Sequence, residues 1–403
     1  MKITDTSVIK LSTFLALALL LMTKNGSVLI ITLLMLYSVR HLYINKNQSR
    51  LNRFDFIVVA TLATYFLVNI PVAISDHSTL RYFQGGIRLI LCIPIYFFIY
   101  ATIINPKSIQ DKLSQGVIIG SVGAFFVAIY QFFLLGMPRV DGFLYSINFG
   151  YLSCALAFLS LCLSTERDKY FLPLIFASIL NTISMFLTFT RGAILAAPLL
   201  LMLFIILKWR DFGGKRITSI LSICLTLIFT LYATIPEVKE RINYTISEFS
   251  DIKNGNYNSA ISSGTRLYLW KAAIEAYKLS PWIGLPYHDR EVLNKHLYQQ
   301  GEINIYALDT TRGHAHNQYF EMLASNGFCG LLGITLMLFI PFIVFLKHYI
   351  STKSIWGFTG TIFVAGFIIY GLTEVPLEAN LISTFYGFML ATIFAMIRIE
   401  KYN

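Results

Sequence analysis

The sequence predicts an all-α fold: about twelve membrane-spanning helices and one large, mostly helical hydrophilic loop. Three observations lead there. Of 403 residues, 56% are hydrophobic and only 13% charged, with a mean hydropathy of +0.65, whereas soluble domains carry roughly 25% charged residues. Apolar runs of about 20 residues, the length that crosses a bilayer as a helix, recur along the chain. Barrel strands would instead be about 10 residues long and alternate in polarity. Only the stretch from about Pro236 to Asn317 is long and hydrophilic.

The runs fall near 8–23, 27–43, 54–74, 82–104, 113–136, 147–164, 170–188, 192–207, 217–235, 317–346, 355–372 and 377–397. The first follows Lys2 and Lys10 much as a signal peptide would. A second run comes at once and no small-x-small cleavage site intervenes, so an uncleaved first helix is expected. The chain thus divides into helices one to nine (1–235), a loop domain (236–316), and helices ten to twelve with a C-terminal tail (317–403). The run that starts at Asn317 is long enough to overshoot the bilayer or tilt, so its first turn is expected to stand clear of the lipid.

The net charge of +11 is distributed by side. With the N-terminus in the cytoplasm, one side collects Lys2, Lys46, Arg50, Arg53, Lys208, Arg210, Arg216, Lys347, Arg398 and Lys401, among others. The short connections on the other side hold only Lys24, Arg81, Arg139 and Arg191. This positive-inside bias places both termini in the cytoplasm and the loop outside. It accounts for the basicity without a nucleic-acid partner. Cys92, Cys154, Cys162, Cys224 and Cys329 all lie in predicted spans, so neither a disulfide framework nor a cysteine metal site is implied.

Within the loop, Val238, Ile242, Ile246 and Phe249 recur at helical spacing, predicting an amphipathic helix from Glu237 to Phe249 that lies on the membrane surface. Asn254 to Gly264, rich in Asn, Ser and Gly, reads as a turn region. A second helix is expected from about Arg266 to Leu279, with Ser263 or Thr265 as cap, Pro281 as stop, and Leu267, Trp270, Ile274 and Tyr277 as its apolar stripe. A short third helix spans Asp289 to Gln299.

The loop closes on Thr311-Arg312-Gly313-His314-Ala315-His316-Asn317. His314 and His316 could ligate a metal on an extended segment, with Asp309, Glu321, His288 or His296 as further ligands. No tight cluster of known metal spacing appears, and no metal is expected. Alternatively His316, at a helix N-terminus and near arginines, stays neutral and accepts a proton from a hydroxyl; the plain reading is a capping or interfacial histidine. Arg191 stands at a short outer turn where positive charge is disfavoured, beside Gly192, which admits close approach. Arg88 lies inside a span, where an arginine is costly, and Arg266 opens a predicted helix. Guanidinium forks suit a diphosphate, although each arginine could instead snorkel or pair with a carboxylate. Glu374 and Glu378 flank Pro376 and could orient an arginine or histidine, or pair structurally. No Gly-x-x-x-x-Gly-Lys-Ser/Thr phosphate loop occurs.

With Thr190-Arg191-Gly192-Ala193, Ser263-Gly264-Thr265-Arg266, and His316-Asn317 followed after nine residues by Gly327-Phe328-Cys329-Gly330, the chain resembles the O-antigen ligases and the wider group containing O-antigen polymerases and pilin oligosaccharyltransferases. It departs from ligases in carrying Trp270 where an Arg-x-x-x-Leu pattern would end, and Gly284-Leu285-Pro286 for a Gly-x-Gly. The resemblance implies a metal-independent, inverting, cofactor-free glycosyltransferase of the bacterial inner membrane. It would move a glycan from undecaprenyl diphosphate to a lipid A-core sugar at the periplasmic face. Arg191, Arg266 and Arg88 would hold the diphosphate, and His316 would act as base, supported by His314, Asn317 and Arg312. A polymerase using the same donor is the nearest alternative, and a polysaccharide transporter a more distant one.

Overall fold

The computed structural model describes residues 4–45, 51–76, 80–211 and 213–402. Lys2, Lys46 and Arg50, and the side chains of Arg216 and Cys224, lie outside what is described. Among the described residues there are helices and turns but no strand. In order they are α1 (Asp5–Ala18), α2 (Gly26–Ile44), α3 (Arg53–Leu67), α4 (Ile70–Asp76), α5 (Gln84–Ile90), α6 (Ile93–Thr102), α7 (Pro106–Ile129), α8 (Ser146–Leu163) and α9 (Phe171–Leu187). There follow α10 (Arg191–Lys208), α11 (Gly213–Thr234), α12 (Pro236–Lys253), α13 (Ile261–Leu279), α14 (Tyr287–Gln299), α15 (Ile305–Leu308), α16 (Gln318–Thr352), α17 (Ile355–Tyr370) and α18 (Asn380–Tyr402).

Each of the twelve apolar runs overlaps helix. Eight helical segments among the described residues are long and apolar enough to cross a membrane, and α9 and α17 are apolar but shorter. This is the build of a multi-pass membrane protein. Two runs are broken by local chemistry. The run at 82–104 divides before Pro94, which falls in the first turn of α6, the part of a helix that tolerates a residue without an N–H. The run at 54–74 divides at Asn69, whose Nδ2 donates to the Tyr65 carbonyl at 2.7 Å.

Packing centres on α18, whose membrane-length window is 94% buried. Arg398 from this helix reaches Asp55 of α3 at 2.5 Å and lies 3.5 Å over the Tyr100 ring. Tyr96 donates to the same carboxylate at 2.6 Å. Asp55 also completes a capping box with Asn52 at the start of α3. Arg398, one of the cations that sets the charge bias, is therefore buried and paired. Removing either partner would leave an uncompensated buried charge, at a cost of about 3–5 kcal/mol.

The hydrophilic segment forms α12 to α15 and docks on the first half of α16. The second expected loop helix differs in two ways. It begins at Ile261 rather than Arg266, so Arg266 sits in its second turn. Its buried face is Leu269, Ala272, Ala273 and Ala276 rather than the expected stripe of Leu267, Trp270, Ile274 and Tyr277; from that stripe, Trp270 stacks on Phe320 of α16, ring centres 5.2 Å apart. Small residues win this face because α13 packs closely on Ala315 and Ala324.

The expected long helix after Asn317 also differs. It breaks at Gly327 (φ 64, ψ −156). There the chain at 281–285 plugs the gap: Leu285 N–H donates to the Ala324 carbonyl at 2.8 Å, and Phe328 N–H to the Pro281 carbonyl at 2.7 Å. Gly284 (φ +79) makes this approach possible, since a Cβ on it would lie 2.1 Å from the Ser325 carbonyl carbon. The Gly284-Leu285-Pro286 and Gly327-x-x-Gly330 segments are thus two halves of one latch.

Candidate functional site

Three arginines converge where α10 and α12 meet. Arg191 is the first residue of α10, after Thr190. Its guanidinium forms an ion pair with the buried Glu248 of α12 and donates to Ser263 Oγ at 3.2 Å. It lies 5.0 Å from the centre of the Tyr244 ring, and Arg241 lies 5.5 Å from the same ring. Arg139 joins from the connection before α8, its Nε donating to the Thr188 carbonyl at 3.0 Å. Burial, then the neighbouring Arg191 charge, lowers the pKa of both Arg139 and Arg241. Burial alone would raise the Glu248 carboxyl, but Arg191, the Ser262 amide and Ser263 outweigh it and hold it at about 2.

One carboxylate therefore faces three guanidiniums. Arg191 Nε and Nη2 and Arg241 Nε are buried without a hydrogen-bond partner among the described residues. Buried donors of this kind cost free energy unless something accepts from them, and a guanidinium fork fits a phosphate oxygen pair. The arrangement has the charge and the donors to take an anion. The sequence reading names Arg139 only as an outer-side cation and gives Arg241 no site role, because each comes near Arg191 only through the fold. The available signal was Arg139 itself, another cation on the side where cations are scarce.

Arg266 is half-buried and makes no ion pair or side-chain hydrogen bond among the described residues. Its charge reaches the Tyr151 hydroxyl of α8, which hydrogen-bonds Thr373 Oγ1 at 2.7 Å. Thr373 and Tyr151 press on Gly192, where a Cβ would lie 2.3 and 2.2 Å from their oxygens. Arg191 and Arg266 are in this way tied to the segment that carries Glu374.

The histidines sit on that segment's other neighbour. His316 Nδ1 lies 2.9 Å from Glu374 Oε2 and 3.1 Å from Oε1. His314 Nε2 lies 3.7 Å from Glu374 Oε1 and 4.0 Å from Glu378 Oε2. The two rings meet edge to face, 4.6 Å between centres. Burial, helped by the charges of His316 and Arg290, holds His314 below the usual imidazole value against the pull of Glu321 and Glu374. Burial would raise Glu374, but its contacts with His316 and His314 bring it below the usual carboxylate range.

Two expectations for His316 change here. The helix begins at Gln318, so His316 stands outside it with φ 46, and the first amides of α16 are satisfied by Asn317 Oδ1 at 2.9 and 3.2 Å. Its nearest charged partner is the carboxylate of Glu374 rather than an arginine. Asn317 also donates to the Leu372 carbonyl at 2.9 Å, so it anchors the turn. The turn is held further by Arg290, fully buried, which pairs with Glu321 and donates to Ser325 Oγ and the Gly313 carbonyl, both at 2.5 Å. Glu321 accepts the Ala315 N–H at 2.8 Å, and Trp270 Nε1 donates to the Ala315 carbonyl at 3.1 Å. Trp270, where the ligase pattern has leucine, thus secures the residue between the histidines.

The remaining candidates lie apart from this pair. Arg312 (φ 60) covers the Tyr287 ring at 5.2 Å, and its backbone N–H donates to Glu291 at 2.8 Å. Arg88 donates to Asn380 Oδ1 at 3.1 Å, away from the three-arginine cluster. His314, His316 and Glu374 have donor atoms within 4.8 Å of one another, the group among the described residues able to hold a metal ion. The same contacts equally make a carboxylate–histidine dyad.

Residues 176–335 match the O-antigen ligase family model. The matched segment runs from α9 through the Gly327 break, and takes in Arg191, Arg241, Arg266, His314 and His316. Curated proteins offer no match to the chain. The matched segment takes in the loop side of the site, while Arg139, Glu374 and Glu378 come from outside it.

Proposed function

We propose that this protein is an O-antigen ligase of the bacterial inner membrane, transferring a glycan from undecaprenyl diphosphate to a lipid A-core sugar hydroxyl at the periplasmic face. The family match supports ligase-type glycosyl transfer. The observation that carries the donor assignment is the cluster of Arg191, Arg241 and Arg139 with unpartnered buried donors and a single facing carboxylate. A diphosphate supplies the missing acceptors and is itself the leaving group, so no nucleotide is required.

The reaction divides between the two halves of the site. Arg191, with Arg241, Arg139 and Arg266, holds the diphosphate and neutralises the charge that grows on it as the glycosidic C–O bond breaks. Glu374 accepts a hydrogen bond from His316 Nδ1–H, which leaves Nε2 as the free acceptor nitrogen. Nε2 takes the proton from the acceptor hydroxyl as its oxygen attacks the anomeric carbon. Attack opposite the leaving diphosphate inverts the centre.

The test uses purified protein, undecaprenyl-diphosphate glycan and lipid A-core in EDTA. Transfer by the wild type and none by folded His316→Ala is the expected result. Growth of lipid-linked glycan in the absence of core would replace the ligase reading with a polymerase. Activity that EDTA abolishes and zinc restores would reassign His314, His316 and Glu374 to a metal.

A further inference from the structure

A recess with a cavity volume of about 510 Å³ ends at Glu378 and is walled by neither Arg191, Arg139, Arg241 nor Arg266. Ligand pockets run about 300–1,000 Å³. Its chemistry is unlike that of the arginine cluster. Asn148 and Gln84 offer amide groups that both donate and accept, and Asn380, whose Oδ1 takes Arg88 Nε, offers its amide donor. Tyr145, 81% exposed, presents an open aromatic face. Lys24 and Arg81 make one wall cationic, and Glu378, 4.0 Å from His314 Nε2, closes the end nearest the histidines.

The charge pattern of the sequence gives a second, independent observation. Lys24, Arg81, Arg139 and Arg191 are the four cations that run against the topological bias. Two of them meet in the arginine cluster and the other two meet here. Cations kept where they are disfavoured point to an anionic ligand at each place.

Resting on the transferase reading, we infer that this recess binds a sugar of the acceptor that bears an anionic substituent, and presents its hydroxyl to the His314–His316 pair past Glu378. The amides take the ring hydroxyls, Tyr145 takes an apolar sugar face, and Lys24 and Arg81 take the phosphate or carboxylate substituent.

The test titrates full-length protein in nanodiscs with water-soluble core oligosaccharide, phosphorylated or enzymatically dephosphorylated, and in parallel measures transfer kinetics for both substrates. Tyr145→Ala, at an exposed position outside the helical core, should weaken core binding and raise the acceptor KM by roughly tenfold, leaving the donor KM unchanged. Lys24→Gln should weaken the phosphorylated core and leave the dephosphorylated core untouched. If the wild type binds no core, or if the two substitutions raise the donor KM instead, the inference is overturned; the latter result would make the recess a donor-glycan site. Binding that behaves as expected without any transfer would sink the transferase reading and leave the recess as a site for anionic sugars.

Discussion

Replacing Glu374 with glutamine tests the catalytic division most directly. The Oε2–Nδ1 contact is 2.9 Å, and glutamine preserves its length while removing the charge. In the transition state His316 becomes an imidazolium facing that charge. Two unit charges about 4 Å apart interact by about 4 kcal/mol at an effective dielectric near 20. The His316 side chain is 35% exposed, so solvent screening reduces this by about half, to about 2 kcal/mol. Glu374→Gln should then lower kcat roughly 30-fold. The donor KM should not move, because Glu374 touches none of the three clustered arginines. The assay is initial-rate transfer onto lipid A-core, followed by gel mobility, with thermal unfolding to show that the variant is folded. A kcat equal to that of the wild type would refute the orienting role of Glu374, and a raised donor KM with unchanged kcat would move Glu374 to the diphosphate side.

Other expectations follow from the same geometry. Arg241→Gln relieves repulsion within the cluster, so it should raise the unfolding temperature without donor yet reduce the stabilisation that donor gives, read from melting curves with and without undecaprenyl-diphosphate glycan. Arg191→Lys keeps the charge but loses the fork, and should raise the donor KM by roughly tenfold or more. Glu378 is held at about 8 against an ordinary 4.5; the folded state keeps its proton while the unfolded state loses it, so stability falls as pH rises from about 4.5 to 8. Glu378→Gln should remove that fall, and melt higher than wild type at pH 9 but not at pH 4. Gly284→Ala would set a Cβ 2.1 Å from backbone at a positive φ, costing on the order of 3 kcal/mol or more, measured as loss of monodisperse protein on size exclusion.

Much of this site could be read from the chain, for a physical reason. Arg191 stood out because cations on the outer short turns are disfavoured, and the paired histidines because they lie against a membrane run. Glu374 could be suspected as an orienting group from its place beside Pro376. The partners were hidden. Glu248 lies 57 residues from Arg191, and Glu321 lies 31 from Arg290, and neither spacing carries a periodic signal. Helix boundaries slipped where tertiary contacts overrode composition. Ile261 to Gly264 read as a turn by residue type but is helix, its Ser262 amide capped by Glu248 across a 14-residue separation. The apolar run after Asn317 read as one helix because nothing in hydropathy records a backbone inserted at Gly327.

That insertion divides α16 mechanically as well as geometrically. Gln318 to Asn326 is fastened to the polar segment through Leu285, Arg290 and Trp270, whereas Gly330 onward belongs to the bundle. The short front piece, with His316 two residues before it, therefore joins the loop to the bundle. It is stitched to the bundle as well: the Gln318 N–H donates to the Gly371 carbonyl at 2.7 Å, Asn317 Nδ2 to the Leu372 carbonyl at 2.9 Å, the Tyr319 hydroxyl to the Ile368 carbonyl at 2.9 Å and Asn326 Nδ2 to the Val68 carbonyl at 3.0 Å, beside the His316–Glu374 contact. A displacement of the loop is delivered to this seam rather than dissipated along a slack connection. Amides of residues 318–326, held from both sides, should accordingly exchange with deuterium as slowly as those of 330–352.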